Sequence, residues 1–218
     1  MKFFSKRELI ILTLLFVLSF VPVVGGAIRI LEIAGGPSVA PDNPRISNDP
    51  FPALLHLLGA IPFCILGAFQ FMPSLRRYAP KWHRLNGRIV AFSGIVAAIS
   101  GLWMTNYYAL SIEIQGDLLY VVRMVLGTAM VLFIVRGVAA IRGRKISQHH
   151  ASMTRAYAIG QGAATQTLMG LIWIALLREE PTGLMRDIMM TSAWVINLTL
   201  AEWIIRKTNN LSVSGSVS

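Results

Sequence analysis

Six apolar runs, each 20 residues or longer, constrain this chain more than any other feature: 9–28, 52–72, 89–109, 118–141, 153–177 and 184–205. At a rise of about 1.5 Å per residue, a helix of about 20 residues crosses a hydrocarbon layer about 30 Å thick. Inside that layer each backbone N–H and C=O must find its partner within the protein, so long apolar runs become helices. The expected fold class is all-α: a single domain of six transmembrane helices over residues 1–207, followed by a polar tail, 208–218, expected to be disordered.

Charge sets the expected orientation. Lys2, Lys6 and Arg7, the segment 75–88 with Arg76, Arg77, Lys81, Arg84 and Arg88, the segment 142–155, and Arg206 with Lys207 all fall on one side when six spans alternate. Basic residues mark the cytoplasmic side, so both termini are expected there. A net charge of +10 could suggest nucleic acid, but the basic residues sit at the ends of apolar segments and not on a polar face. The expected partners are the lipid bilayer and anionic headgroups, with no nucleic acid, and the expected location is the bacterial cytoplasmic (inner) membrane, multi-pass. The first run also resembles a signal peptide through its basic start and Gly25, Gly26 and Ala27, but its length favours an uncleaved helix. Residues 29–50, with Gly35, Gly36, Pro37, Pro41, Pro44 and Pro50, predict turns without a regular element, and Pro62 predicts a kink in the second span. Cys64, the lone cysteine, lies inside an apolar run and reads as a packing residue.

Ionisable groups at membrane depth are costly and mark candidate sites. At the inner end, His83, Arg84 and Arg88 lie at the mouth of the third span, and His149, His150 and Arg155 at that of the fifth. If the third helix starts early, His83 and Gly87 share a face, and the glycine would admit another helix or a flat cofactor. His83 and His149 could serve as metal ligands, to haem b iron or zinc, or meet a quinone, with Arg84, Arg88 and Arg155 pairing with haem propionates. Beside this stands the reading in which the cluster only meets lipid phosphates, with His150 turned to solvent. At the outer end, His56, Arg123 and Tyr107 form a second candidate site for an anionic or quinone-like ligand, unless Arg123 pairs with Asp117 or Glu113.

Gln70, Asn197 and Glu202 read as structural polar residues, Glu202 pairing with Arg206 on its own helix or with Arg155 on the fifth. No GxSxG, HExxH, P-loop or GxGxxG pattern is suitably placed, so no catalytic residue is assigned and no enzyme class is indicated. The functional expectation is a membrane redox or cofactor-binding protein; the alternative is a non-redox carrier, lipid-binding or membrane assembly protein.

These landmarks also carry a resemblance. His56 opening HLLGAIPFCILGAFQF, the HRxxGR pattern in LRRYAPKWHRLNGR, the HxxxMxRxY pattern of His149, Met153, Arg155 and Tyr157, and WVINLTLAE ending in Glu202 resemble a family of predicted bacterial integral membrane proteins catalogued as a domain of unknown function. The likeness covers most of the chain after the first loop. It implies a fold and a set of suspect residues, and no activity. The chain departs from the pattern at His150, Ala151 and Ser152, where the family carries bulky or basic residues, and at Thr167, where it often carries an intramembrane arginine.

Overall fold

A computed structural model describes residues 4–214, with side chains described through Thr208. Six long apolar helical segments run along it, and among the described residues there is no strand. The helices are α1 (Lys6–Ile33), α2 (Pro44–Asn48), α3 (Phe51–Ala68), α4 (Pro73–Tyr78), α5 (Pro80–Tyr107), α6 (Asp117–Arg142), α7 (Ile146–Gly160), α8 (Gly162–Leu177) and α9 (Gly183–Ser214). The six spans are α1, α3 with its 3₁₀ extension to Phe71, α5, α6, α7 with α8, and α9.

Three segments outside the apolar runs carry helix. The segment expected to be turns carries the end of α1, which continues to Ile33, and the short helix α2, begun by Pro44 in the first turn where its missing N–H costs nothing. The basic segment is helical as well: α4 and α5 each start on a proline, Pro73 and Pro80, so His83 lies within the first turns of a helix. At the carboxyl end α9 continues to Ser214, so the expected tail begins as helix; its last four residues lie outside the described residues.

Small residues decide how the spans meet. A Cβ at Gly59 of α3 would stand 2.7 Å from Ala97 N and 2.8 Å from Ser93 O, so α3 and α5 touch backbone to backbone. The Phe63 ring fills the space left by Gly94 on one side and Gly160 on the other, and Tyr157 covers Gly67 while donating its hydroxyl to Cys64 O at 2.9 Å. Phe63, Val90, Met130, Ile134 and Tyr157 thereby form one core shared by α3, α5, α6 and α7. Cys64 itself is only partly buried and unbridged.

The fifth span is broken at Gln161. Breaking a helix inside hydrocarbon frees carbonyls that other groups must satisfy, and α9 supplies them: Trp194 Nε1 donates to Ile159 O at 3.0 Å and Asn197 Nδ2 to Ala158 O at 3.2 Å. Asn197 Oδ1 accepts from Thr165 at 2.9 Å, and Gln161 Oε1 accepts from Ser19 of α1 at 3.0 Å. Asn197 thus links α9 to both halves of the fifth span.

Candidate functional site

Two polar clusters lie at opposite ends of the bundle. At the end that holds the start of α1, Glu8 accepts from Ser74 N and Ser74 Oγ, both at 2.7 Å, and completes a capping box with Ser5. A buried carboxylate so placed complements the amino end of α4 and fixes α1 against it. Gln70 then reaches the next turn, its Nε2 donating to His83 O at 3.3 Å, while Asn86 Nδ2 donates to Leu66 O at 2.9 Å. These contacts set the register of α5 and hence the position of His83.

His83 and His149 lie within electrostatic reach of each other, and Arg76 on α4 reaches His83 and also His150. His149 Nδ1 lies 2.9 Å from Gly137 O. Because a carbonyl only accepts, that nitrogen carries the proton, and Nε2 is left as the outward lone pair or second donor. His83 Nδ1 is buried with no hydrogen-bond partner, a state that is rare for a polar atom and points to something missing from the protein's own contacts. His150, expected to turn to solvent, is instead partly buried beside Arg76.

The other inner candidates separate. Arg84 and Arg88 are exposed. Arg155 is engaged elsewhere: its Nε and Nη2 hold Glu202 Oε1 and Oε2 at 2.5 and 2.9 Å, and its guanidinium lies over the Phe133 ring. Of the two partners expected for Glu202, this is the one on the neighbouring span. Nor is Gly87 an open face, because Gln70 Oε1 lies 3.3 Å from where its Cβ would stand. Gly137, beside His149, is likewise covered by Met153, whose Sδ is 2.8 Å from the Cβ position.

The opposite end is held by residues with little sequence signal. Asp187 of α9 is buried and accepts from Gly116 N and Leu119 N, both at 3.1 Å, capping α6 from outside its own chain segment. Arg186 Nε donates to Ile114 O at 3.2 Å, and Gly183 N to Glu113 O at 2.9 Å. Tyr108 donates to Asp49 O at 2.7 Å, and burial pushes its phenol above the ordinary range, so it keeps that proton at neutral pH.

The second candidate site is dispersed in this frame. His56 Nδ1 lies 2.9 Å from Ala97 O, with Ser100 Oγ at 3.4 Å, which ties it to the α3–α5 contact. Arg123 donates to Gln115 Oε1 and approaches Met190 Sδ, so its partners are neither Asp117 nor Glu113. Tyr107 is exposed and packs against the rings of Trp103 and Tyr108. Only His56 and Arg123 remain within electrostatic reach.

Sequence reasoning missed Asp187 and gave Arg76 only as a marker of orientation. Asp187 sits among Arg178, Glu179, Glu180 and Arg186, where a charge reads as loop surface; only the fold brings two N–H groups to it. Comparison with curated proteins gives no match, and comparison with solved structures gives none. Residues 53–205 match the family model described as Predicted membrane protein (DUF2306), and with most of its length so matched the chain belongs to that family of membrane proteins of unknown function.

Proposed function

We propose that this protein is a multi-pass protein of the bacterial inner membrane that binds a quinone at its cytoplasmic end, through His83 and His149. The observation that carries the reading is the buried, unpartnered Nδ1 of His83 within electrostatic reach of a second histidine whose own Nδ1 is already fixed by Gly137 O. An imidazole N–H is a suitable donor to a quinone carbonyl: His83 supplies one, while His149, its Nδ1–H spent on Gly137 O, offers Nε2 as an acceptor to a quinol hydroxyl or, when protonated, as a second donor, so that residues of two spans would hold the head group while its apolar tail remains among the helices. Arg76 adds a positive charge beside both histidine-bearing helices, suited to an anionic semiquinone or quinol oxygen.

Haem fits these side chains less well. A ring held between His83 and His149 needs a flat slot, and the small residues that would open one, Gly87 and Gly137, are packed by Gln70 and Met153. Among the described residues no group of three or more His, Cys, Asp and Glu is arranged for a metal ion, so a bare zinc ion would find two nitrogens at most.

The test is to purify the full chain in mild detergent, extract it and quantify quinones by mass spectrometry, with a reloading step using ubiquinone-1. Quinone should be retained near one per protein and fall about tenfold or more in H83A and in H149A, the loss of one charge-assisted or buried hydrogen bond. Retention that is unchanged in both variants, or none even after reloading, overturns the quinone site and leaves the reading in which the cluster contacts headgroups in a carrier or assembly protein.

A further inference from the structure

A cleft of about 370 Å³ lies at the opposite end of the bundle from His83 and His149, between α8 and the start of α9. One wall is a stripe of α8, Ile174, Leu171 with its neighbour Gly170, Thr167 and Ala163, rising in steps of three or four residues along one face of the helix. From Ile174 to Ala163 the stripe descends about 16 Å into the span at 1.5 Å per residue. The facing wall is Met189 and Met190, soft side chains that adapt to an apolar occupant. A groove of that volume and length has room for one hydrocarbon chain.

The mouth of the slot is charged with both signs. Arg186 and Glu180 line it together, and among the described residues they form no ion pair with each other. Arg186, which lines the cleft, uses its Nε on Ile114 O and its side chain makes no other hydrogen bond among the described residues, so its terminal nitrogens are available to a ligand. Just below, Gln166 Nε2 donates to Met190 O at 3.1 Å and Thr167 Oγ1 to Ala163 O at 2.8 Å, so both polar side chains of the lining spend their donors on backbone carbonyls. A ligand that suits this arrangement has an acyl chain, an anionic group for Arg186 and a cationic hydrogen-bond donor for Glu180.

We propose that the α8–α9 cleft binds one aminophospholipid, its phosphate on Arg186, its primary ammonium on Glu180 and an acyl chain along the Ile174–Ala163 stripe. A phospholipid with an uncharged head satisfies only Arg186. One with a trimethylammonium head brings the positive charge but no N–H for the carboxylate. The site is independent of the quinone reading, since it uses different residues at the other end of the bundle.

The test uses the full chain, delipidated in detergent and equilibrated with mixed micelles containing phosphatidylethanolamine, phosphatidylglycerol or phosphatidylcholine of the same acyl chains, with retained lipid counted by mass spectrometry. Phosphatidylethanolamine should be retained near one per protein and about tenfold over the other two. E180Q, at an exposed position, should erase the preference over phosphatidylglycerol, and R186Q should lower retention of all three. G170L should fill the slot: a Cβ there meets nothing closer than Met189 Cε at 4.0 Å, so the added chain enters free space. Equal retention of the three lipids by the unaltered protein overturns the proposal. So does an undiminished preference in E180Q, or full retention in a G170L protein whose thermal midpoint is unchanged.

Discussion

Gly162 tolerates no side chain, because a Cβ would overlap Trp194 Nε1, the atom that holds Ile159 O at the break in the fifth span. G162A should therefore displace the indole, lose its hydrogen bond and destabilise the protein by about 2–3 kcal/mol, read as a lower thermal midpoint in detergent. W194F in the same chain should recover part of that loss, since a smaller ring leaves room for the methyl. Arg155 and Glu202 make a different case. Their pair is bidentate, but both side chains remain partly exposed, so a double-mutant cycle on R155Q and E202Q should give a coupling of only about 1 kcal/mol. That pairing was half-legible in the sequence: equal depth put Arg155 among the candidates, yet Arg206 four residues along the same helix was as plausible until helix packing chose between them. Asp187 was not legible at all, because its partners are the backbone N–H groups of Gly116 and Leu119, and backbone donors leave no trace in residue type.

Spans are local features, set by apolar length, and all six appear where the apolar runs lie. Their ends are less so. The residues between apolar runs carry charges that say nothing about helicity, so the basic segment 75–88 gives no sign of α4, and the only signals for helix starts there are Pro73 and Pro80 in first-turn positions. The break at Gln161 was equally hidden, since the surrounding GQGAATQTLMG reads as continuous apolar helix and the groups that make a break tolerable belong to α9. Interhelix capping gives this scale its own prediction. D187A should free the first N–H groups of α6 inside a buried contact and cost about 1–2 kcal/mol, with faster hydrogen exchange at Leu119. D187N should cost less, since its amide oxygen can keep one of the two acceptor contacts.

At the scale of the whole molecule, alternation of six spans brings the starts of α5 and α7 to one end and those of α3, α6 and α9 to the other. His83 and His149 therefore share an end, and His56 cannot join them. Their electrostatic proximity came from packing, chiefly α3 against α5 and α6 against α7, which no local pattern encodes. Which face of the membrane the histidine end meets is set by its basic residues: a reporter fused after Ser218 should be active in the cytoplasm, and activity confined to the periplasm would reverse both the orientation and the side assigned to the quinone.

Of the six spans α1 is the least enclosed by its neighbours, yet its Glu8 is among the most buried polar residues. The two Ser74 donors that satisfy this carboxylate lie 66 positions further along the chain. During synthesis the first helix thus enters the membrane with its acid only locally satisfied by Ser5, and it is secured only after the second span has been made and α4 has emerged from the ribosome. Helix α1 is thus made a whole span before the donors that lock it, so E8Q should show its effect less in the final thermal midpoint than in the fraction of newly made chains that escape proteolysis.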